Sequence, residues 1–159
     1  MPPPVITLYR QQPGHIADVP GASYNAGMID RFSLALFLLR LLAGGFQLPH
    51  GLQKFGLLRG NVAAITESFA QSGLQPPLAW VRVVGAAQII AGSCLVVGIA
   101  TDGAAVLTLC LSAAMVRLSL WQGGWFWNRH GVEYAVFWAG VAAAIALLGP
   151  GAWSIDALL

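Results

Sequence analysis

The residues able to do chemistry in this 159-residue chain are few, and they fall into two groups inside otherwise apolar sequence. The first is Arg40, in the middle of 32-FSLALFLLRLLAGGFQLPHGL-52, with Gln88 in 77-PLAWVRVVGAAQIIAGSCLVVGIA-100. The second is His50, Lys54, Arg82, Arg117, His130 and Glu133, all near the ends of apolar segments. A guanidinium surrounded by hydrocarbon costs a few kcal/mol or more, so Arg40 must point at a partner or a wet cavity. Two roles are open to it: a clamp hydrogen-bonded to Gln88 and carbonyls, or a holder of a charged or polar ligand group. The second group combines three fixed cations, one carboxylate and two titratable imidazoles, and Glu67 can fold in from a neighbouring loop. Such an excess of positive charge, rimmed by Trp80, Trp121, Trp125 and Trp127, suits a small anion or a quinone head group. Taken singly, Arg and Lys near span ends also snorkel to lipid phosphates. That simpler account covers Glu133 and the histidines less well.

The elements that must position these residues follow from composition. Hydrophobic residues make up 57% of the chain and charged residues 9%, against about a quarter charged in soluble proteins. So few charges cannot cover the surface of a small globule, and lipid must solvate most of it. The net charge of +2 is too weak to argue for nucleic acid. Crossing a bilayer takes about 20 mostly apolar residues in a helix. Four segments fit or nearly fit: 32–52, 77–100, 103–122 and 132–149. Pro77 suits a first helical turn, where its missing N–H costs nothing. Small residues recur inside the segments (Gly44, Gly85, Gly92, Ala113, Gly140), which lets membrane helices approach closely. The expected fold is therefore all-α: an integral membrane four-helix bundle over 30–159, preceded by an extended, Pro-rich N-terminal arm over 1–29.

The connections differ. A tight turn at Thr101 and Asp102 joins the second and third spans. The first loop holds 61-NVAAITESFAQSGL-74, a short amphipathic helix capped by Asn61. The third, 121-WQGGWFWNRHG-131, reads as an interfacial aromatic belt. Four spans put both termini on one face and these two loops on the other. Lys54, Arg59 and Arg129 on the loop face lean it towards the cytoplasm. At 1.5 Å per residue, Arg40 lies roughly 12 Å from the terminal face and Gln88 about 16 Å from the loop face. The two are thus expected to meet near mid-membrane. His50, Lys54, Arg82, Arg117, His130 and Glu133 fall within roughly 10 Å of the loop face, where the helix mouths converge.

Other chemistries find little support. Cys94 and Cys110 lie in apolar runs without CxxC spacing, and no metal site is expected. There is no Gly-rich phosphate loop, GxSxG elbow or HExxH motif. Nothing sets His50 and His130 level on facing helices for haem ligation. Neither an inverted repeat nor paired broken helices point to transport.

The order of motifs is informative as a set. An Arg-containing first span runs into HGLQKF, and 68-SFAQSGLQPPLAW-80 follows. The second span ends in 92-GSCLVVGIATDGAA-105; then come a Trp-containing turn, 131-GVEYAVFWAG-140 and 148-LGPGAWSIDALL-159. Over residues 30 to 159 this resembles the DoxX family of small four-span bacterial membrane proteins. Gln88 stands where family members often carry an acid, Asp102 where a basic residue is common, and the arm looks like an addition. The resemblance implies a membrane subunit of a thiosulfate:quinone oxidoreductase, a companion of a terminal oxidase, or a partner of redox-stress complexes. By match to the family's polar positions, Arg40, His50, Lys54 and Glu133 carry over.

Two functions are expected from these readings. One is an accessory subunit of a respiratory or redox complex in the bacterial inner membrane, strapped to other membrane subunits by the arm. The other is a quinone-linked oxidoreductase subunit binding a quinone head or small anion at the His50, Arg82 and Arg117 cluster. No complete catalytic set is visible, and the chain carries no ligand set for an electron carrier. A quinone is the one cofactor these readings admit.

Overall fold

The computed structural model describes residues 22–122, 124–126 and 131–159. Among them are five helices and no strand: α1 (Ala22–Lys54), α2 (Val62–Gln71), α3 (Pro77–Val97), α4 (Thr101–Gln122) and α5 (Glu133–Leu148). Residues 22–29, expected in the arm, are the opening turns of α1, and residues 1–21 lie outside the described residues. Three helical segments are long and apolar enough to cross a membrane: Arg31–Lys54, Pro77–Val97 and Thr101–Ser119. The fourth expected span is the shorter apolar α5, about 24 Å long at 1.5 Å per residue. Leu38, Leu42, Ile90, Val106, Phe137 and Leu147 face outwards, as lipid-solvated helices require.

Local sequence explains most boundaries. Asn61 Oδ1 accepts from Ala64 N–H at 3.0 Å and starts α2. Pro77 opens α3 as expected, and Gly98 closes it in the left-handed region, φ +75°, with its N–H on Cys94 O at 2.8 Å. α1 runs through Pro49 to Lys54, so Pro49 lies inside the helix.

The most extensive pairings are α1 with α3 and α4 with α5. Ala43, Leu95, Ala104, Ala105 and Ile145 form the core between them. Glycines fix the α1–α3 register. A Cβ at Gly51 would sit 2.7 Å from Gly85 O, and one at Gly92 would sit 2.9 Å from Gly44 O. Only bare backbone permits that approach, which supplies packing where lipid removes the hydrophobic drive. This antiparallel register sets Arg40 beside Gly98 and brings Lys54 within reach of Gln88.

The expected Arg40–Gln88 pair is therefore not what forms. Arg40 Nη2 donates to Trp153 O in the segment after α5, while Gln88 accepts from Lys54. The depth estimate centred both spans on the bilayer. The glycine contacts instead slide α1 along α3, and the C-terminal segment folds back over the α3–α4 turn. There the Asp156 carboxylate accepts from Ala100 N–H at 2.7 Å and Thr101 N–H at 2.8 Å, and Asp156 N–H donates to Gly98 O at 2.9 Å. Thr101 does most to hold the Asp156 carboxyl below the usual carboxylate range, through its hydroxyl and its N–H; Ala100 N–H and the Arg40 charge add to it. Of the two Thr101 groups the N–H makes the formed bond, and the hydroxyl lies outside bonding geometry.

Candidate ligand-binding cleft

One face of α1 carries Gln47, His50 and Lys54 at helical spacing, so the three line a single stripe. Opposite the stripe stand Gln88 on α3, Ser112, Met115 and Ser119 on α4, and Tyr134 and Trp138 on α5. Between them is a cavity of about 200 Å³ whose wall also includes Phe46, Leu111 and Ala135. A wider chamber of about 460 Å³ continues it under α2, bounded by Ile65, Ser68, Phe69 and Ser72. His50, Lys54, Met115, Ser119, Gly131 and Tyr134 line both chambers, which makes them one cleft.

The polar contacts cluster where the chambers meet. Lys54 is only 6% exposed. Its Nζ donates to Gln88 Oε1 at 2.8 Å and to His50 O at 3.2 Å. The Tyr134 hydroxyl lies 3.5 Å from His50 Nε2, and the two rings meet edge-on at 6.3 Å between centroids. One turn deeper, Trp138 packs against Phe46 at 4.9 Å, Phe137 at 5.4 Å and Tyr134 at 5.9 Å. The deep chamber thus has mainly aromatic and aliphatic walls, interrupted by Gln47 and Ser112, and further hydrogen-bonding groups where it meets the wider chamber. That is the usual make-up of a site for a flat organic ligand.

The six residues expected to converge divide. His50 and Lys54 line the cleft together. Arg82 instead lays its guanidinium over the Phe55 ring, 5.0 Å from the centroid, and Arg117 is exposed on α4. Neither lines either chamber, so the cleft is less cationic than expected. The physical reason is helix phase: residues at one depth on different helices need not face one axis. Glu133 opens α5 outside the cleft lining. His130 lies outside the described residues, as do Trp127 and the side chain of Trp121; Trp125 and Trp80 are exposed. Glu67, on exposed α2, accepts from Gln71 Nε2 at 3.1 Å. Arg40 sits apart from the cleft, beneath the C-terminal segment. Tyr134, Gln47, Ser112 and Trp138 were missed. The i, i+3, i+7 spacing of Gln47, His50 and Lys54 would have found the first-helix stripe. No comparable sequence signal marks Tyr134 or Ser112.

No curated protein and no solved structure matches the chain. Residues 35–120 match the DoxX family, a stretch covering more than half of the chain and spanning α3, α2 and most of α1 and α4. With three helices able to cross a bilayer, the chain is a multi-pass membrane protein, and it belongs to the DoxX family.

Proposed function

We propose that this protein is the quinone-binding subunit of a respiratory or redox membrane complex in the bacterial inner membrane. The observation that supports this most is the meeting of His50, Tyr134, Lys54 and Gln88 at the polar end of an aromatic-walled cleft. A quinone needs flat apolar walls for its ring and hydrogen-bond donors for its oxygens, and the residues present fit both needs. Phe46, Trp138, Leu111 and Met115 would hold the ring, and Tyr134 and Lys54 would donate to its oxygens. When bound, a quinone supplies two-electron, two-proton redox chemistry. His50 then serves as the proton-exchanging group beside the ring oxygen, with Tyr134 orienting its imidazole. The wider chamber under α2 gives the isoprenoid tail a route out.

Electrons must come from a carrier on another subunit. Among the described residues no cluster of three His, Cys, Asp or Glu could hold a metal centre. In this reading the chain is accessory in the electron path, and the arm expected over 1–29, of which 22–29 are helical, is its strap to partner subunits. Purification in mild detergent followed by solvent extraction tests the reading. A quinone recovered with the wild-type protein, and depleted at least about tenfold in His50→Ala, supports it. Protein that neither retains nor rebinds quinone refutes it. Deleting residues 1–21 should release co-purifying subunits; unchanged co-purification removes the strap.

A further inference from the structure

Lys54 is a buried cation whose neighbours do not neutralise it. Its two described acceptors, Gln88 Oε1 and His50 O, are both uncharged. An ammonium has three donors, so one N–H is left over. The side chain lines both chambers of the cleft, and no Asp or Glu is among the residues lining either one. Burying a cation without an opposite charge is costly, and neutral acceptors recover only part of that cost. Arg40, the other buried cation on α1, does have a carboxylate acting on it, that of Asp156. The cleft is therefore a cavity with the Lys54 ammonium at its polar end and one donor that has no acceptor among the described residues.

We infer that the ligand group received at Lys54 is an anionic oxygen. This inference rests on the quinone reading and refines its substrate class: a ring bearing an ionised hydroxyl next to a carbonyl binds in preference to the neutral dione. The leftover N–H of Lys54 takes the ionised oxygen, and the ligand's charge completes the pair that Gln88 leaves open. Gln88 is then the residue that sets charge preference. A carboxylate at that position would satisfy Lys54 internally and remove the demand for an anion. A small oxyanion offers the same chemistry, and the experiment separates the two sources.

The test uses the full-length protein in detergent and follows quenching of tryptophan fluorescence. The probes are para-naphthoquinone and its ring-hydroxylated form, which is ionised at pH 7. Wild-type protein should bind the hydroxylated form at least about tenfold more tightly, since 1.4 kcal/mol is a factor of ten. Gln88→Glu should erase that preference, bringing the affinities for the two forms together. Lys54→Met should also erase the preference while weakening both forms, and agreement of the two variants on the lost preference guards against one that misfolds. Inorganic sulfate that displaces the hydroxylated probe supports the anionic site and names a free oxyanion as a second occupant; sulfate without effect assigns the charge to the ring ligand. Equal binding of both quinones by the wild type overturns the inference and leaves the quinone reading standing. A preference that survives Gln88→Glu also overturns it. Binding of neither quinone removes both.

Discussion

Arg40 and Lys54 lie on the same helix, both nearly fully buried, and they differ in whether a carboxylate acts on them and whether a cavity adjoins them. Around Arg40 the space is filled, although its Nε and Nη1 have no hydrogen-bond partner among the described residues. A Cβ on Gly98 would collide with Arg40 Nη1, Ser154 packs alongside, Trp153 O accepts from Nη2, and Asp156 supplies negative charge. Around Lys54 the space is open, its acceptors are neutral, and the cleft begins at its head group. A buried cation is thus not by itself a sign of function. What separates a clamp from a binding residue is whether the protein has already used the charge. At Arg40 it holds the C-terminal segment over the α3–α4 turn. At Lys54 it faces the cleft.

The sharpest way to break this comparison is at Gly98. Valine there must adopt φ +75° and displace the guanidinium, so Gly98→Val should cost about 3 kcal/mol or more, read as a fall in melting temperature in detergent. Arg40→Met comes next. Loss of the bond to Trp153 O should cost about 2 kcal/mol and speed amide exchange in 153–157. A stability change under about 0.5 kcal/mol would remove Arg40 from its clamp role. Lys54→Met should behave differently, since replacing a poorly compensated buried charge with an apolar side chain is nearly neutral, within about 1 kcal/mol. Quinone affinity, not melting temperature, should fall. If Lys54→Met destabilises as much as Arg40→Met, the two sites are alike and the contrast fails.

The smallest effect is expected at Asp156, which is partly open to solvent. Its folded-state value lies below the ordinary 3.8. Its contribution is therefore present above about pH 3.8 and lost as the pH falls through the lower folded value. Acid should loosen the C-terminal segment in the wild type, and Asp156→Asn should abolish that pH dependence. An Asn variant whose acid transition is unchanged would show that the carboxylate is not the responding group.

Much of the fold was legible in the sequence because the relevant signals are local. Asn61 capping α2, Pro77 opening α3 and the apolar lengths of the spans are each written within a turn or two of where they act. The α3–α4 boundary was read a few residues late, at Thr101 and Asp102. Its cap is supplied by Asp156, more than 50 residues onward, and no local pattern announces it. The site was half legible. His50 and Lys54 share a stripe on one helix, which periodicity reveals. Arg82 and Arg117 have the right depth, but depth says nothing about the rotation of one helix against another.

The sequence alone thus determined that the chain is helical, that lipid solvates it, and that Arg40 lies deep in the first span while His50 and Lys54 share one side of its end. These follow from composition and from the 3.6-residue period, which need no knowledge of neighbours. Only the tertiary structure decided which cation meets the C-terminal segment and which faces a cavity. The register of α1 on α3 is fixed by glycine contacts that bring distant backbone together. That register gave Arg40 to the C-terminal segment and left Lys54, with neutral Gln88, facing a cavity.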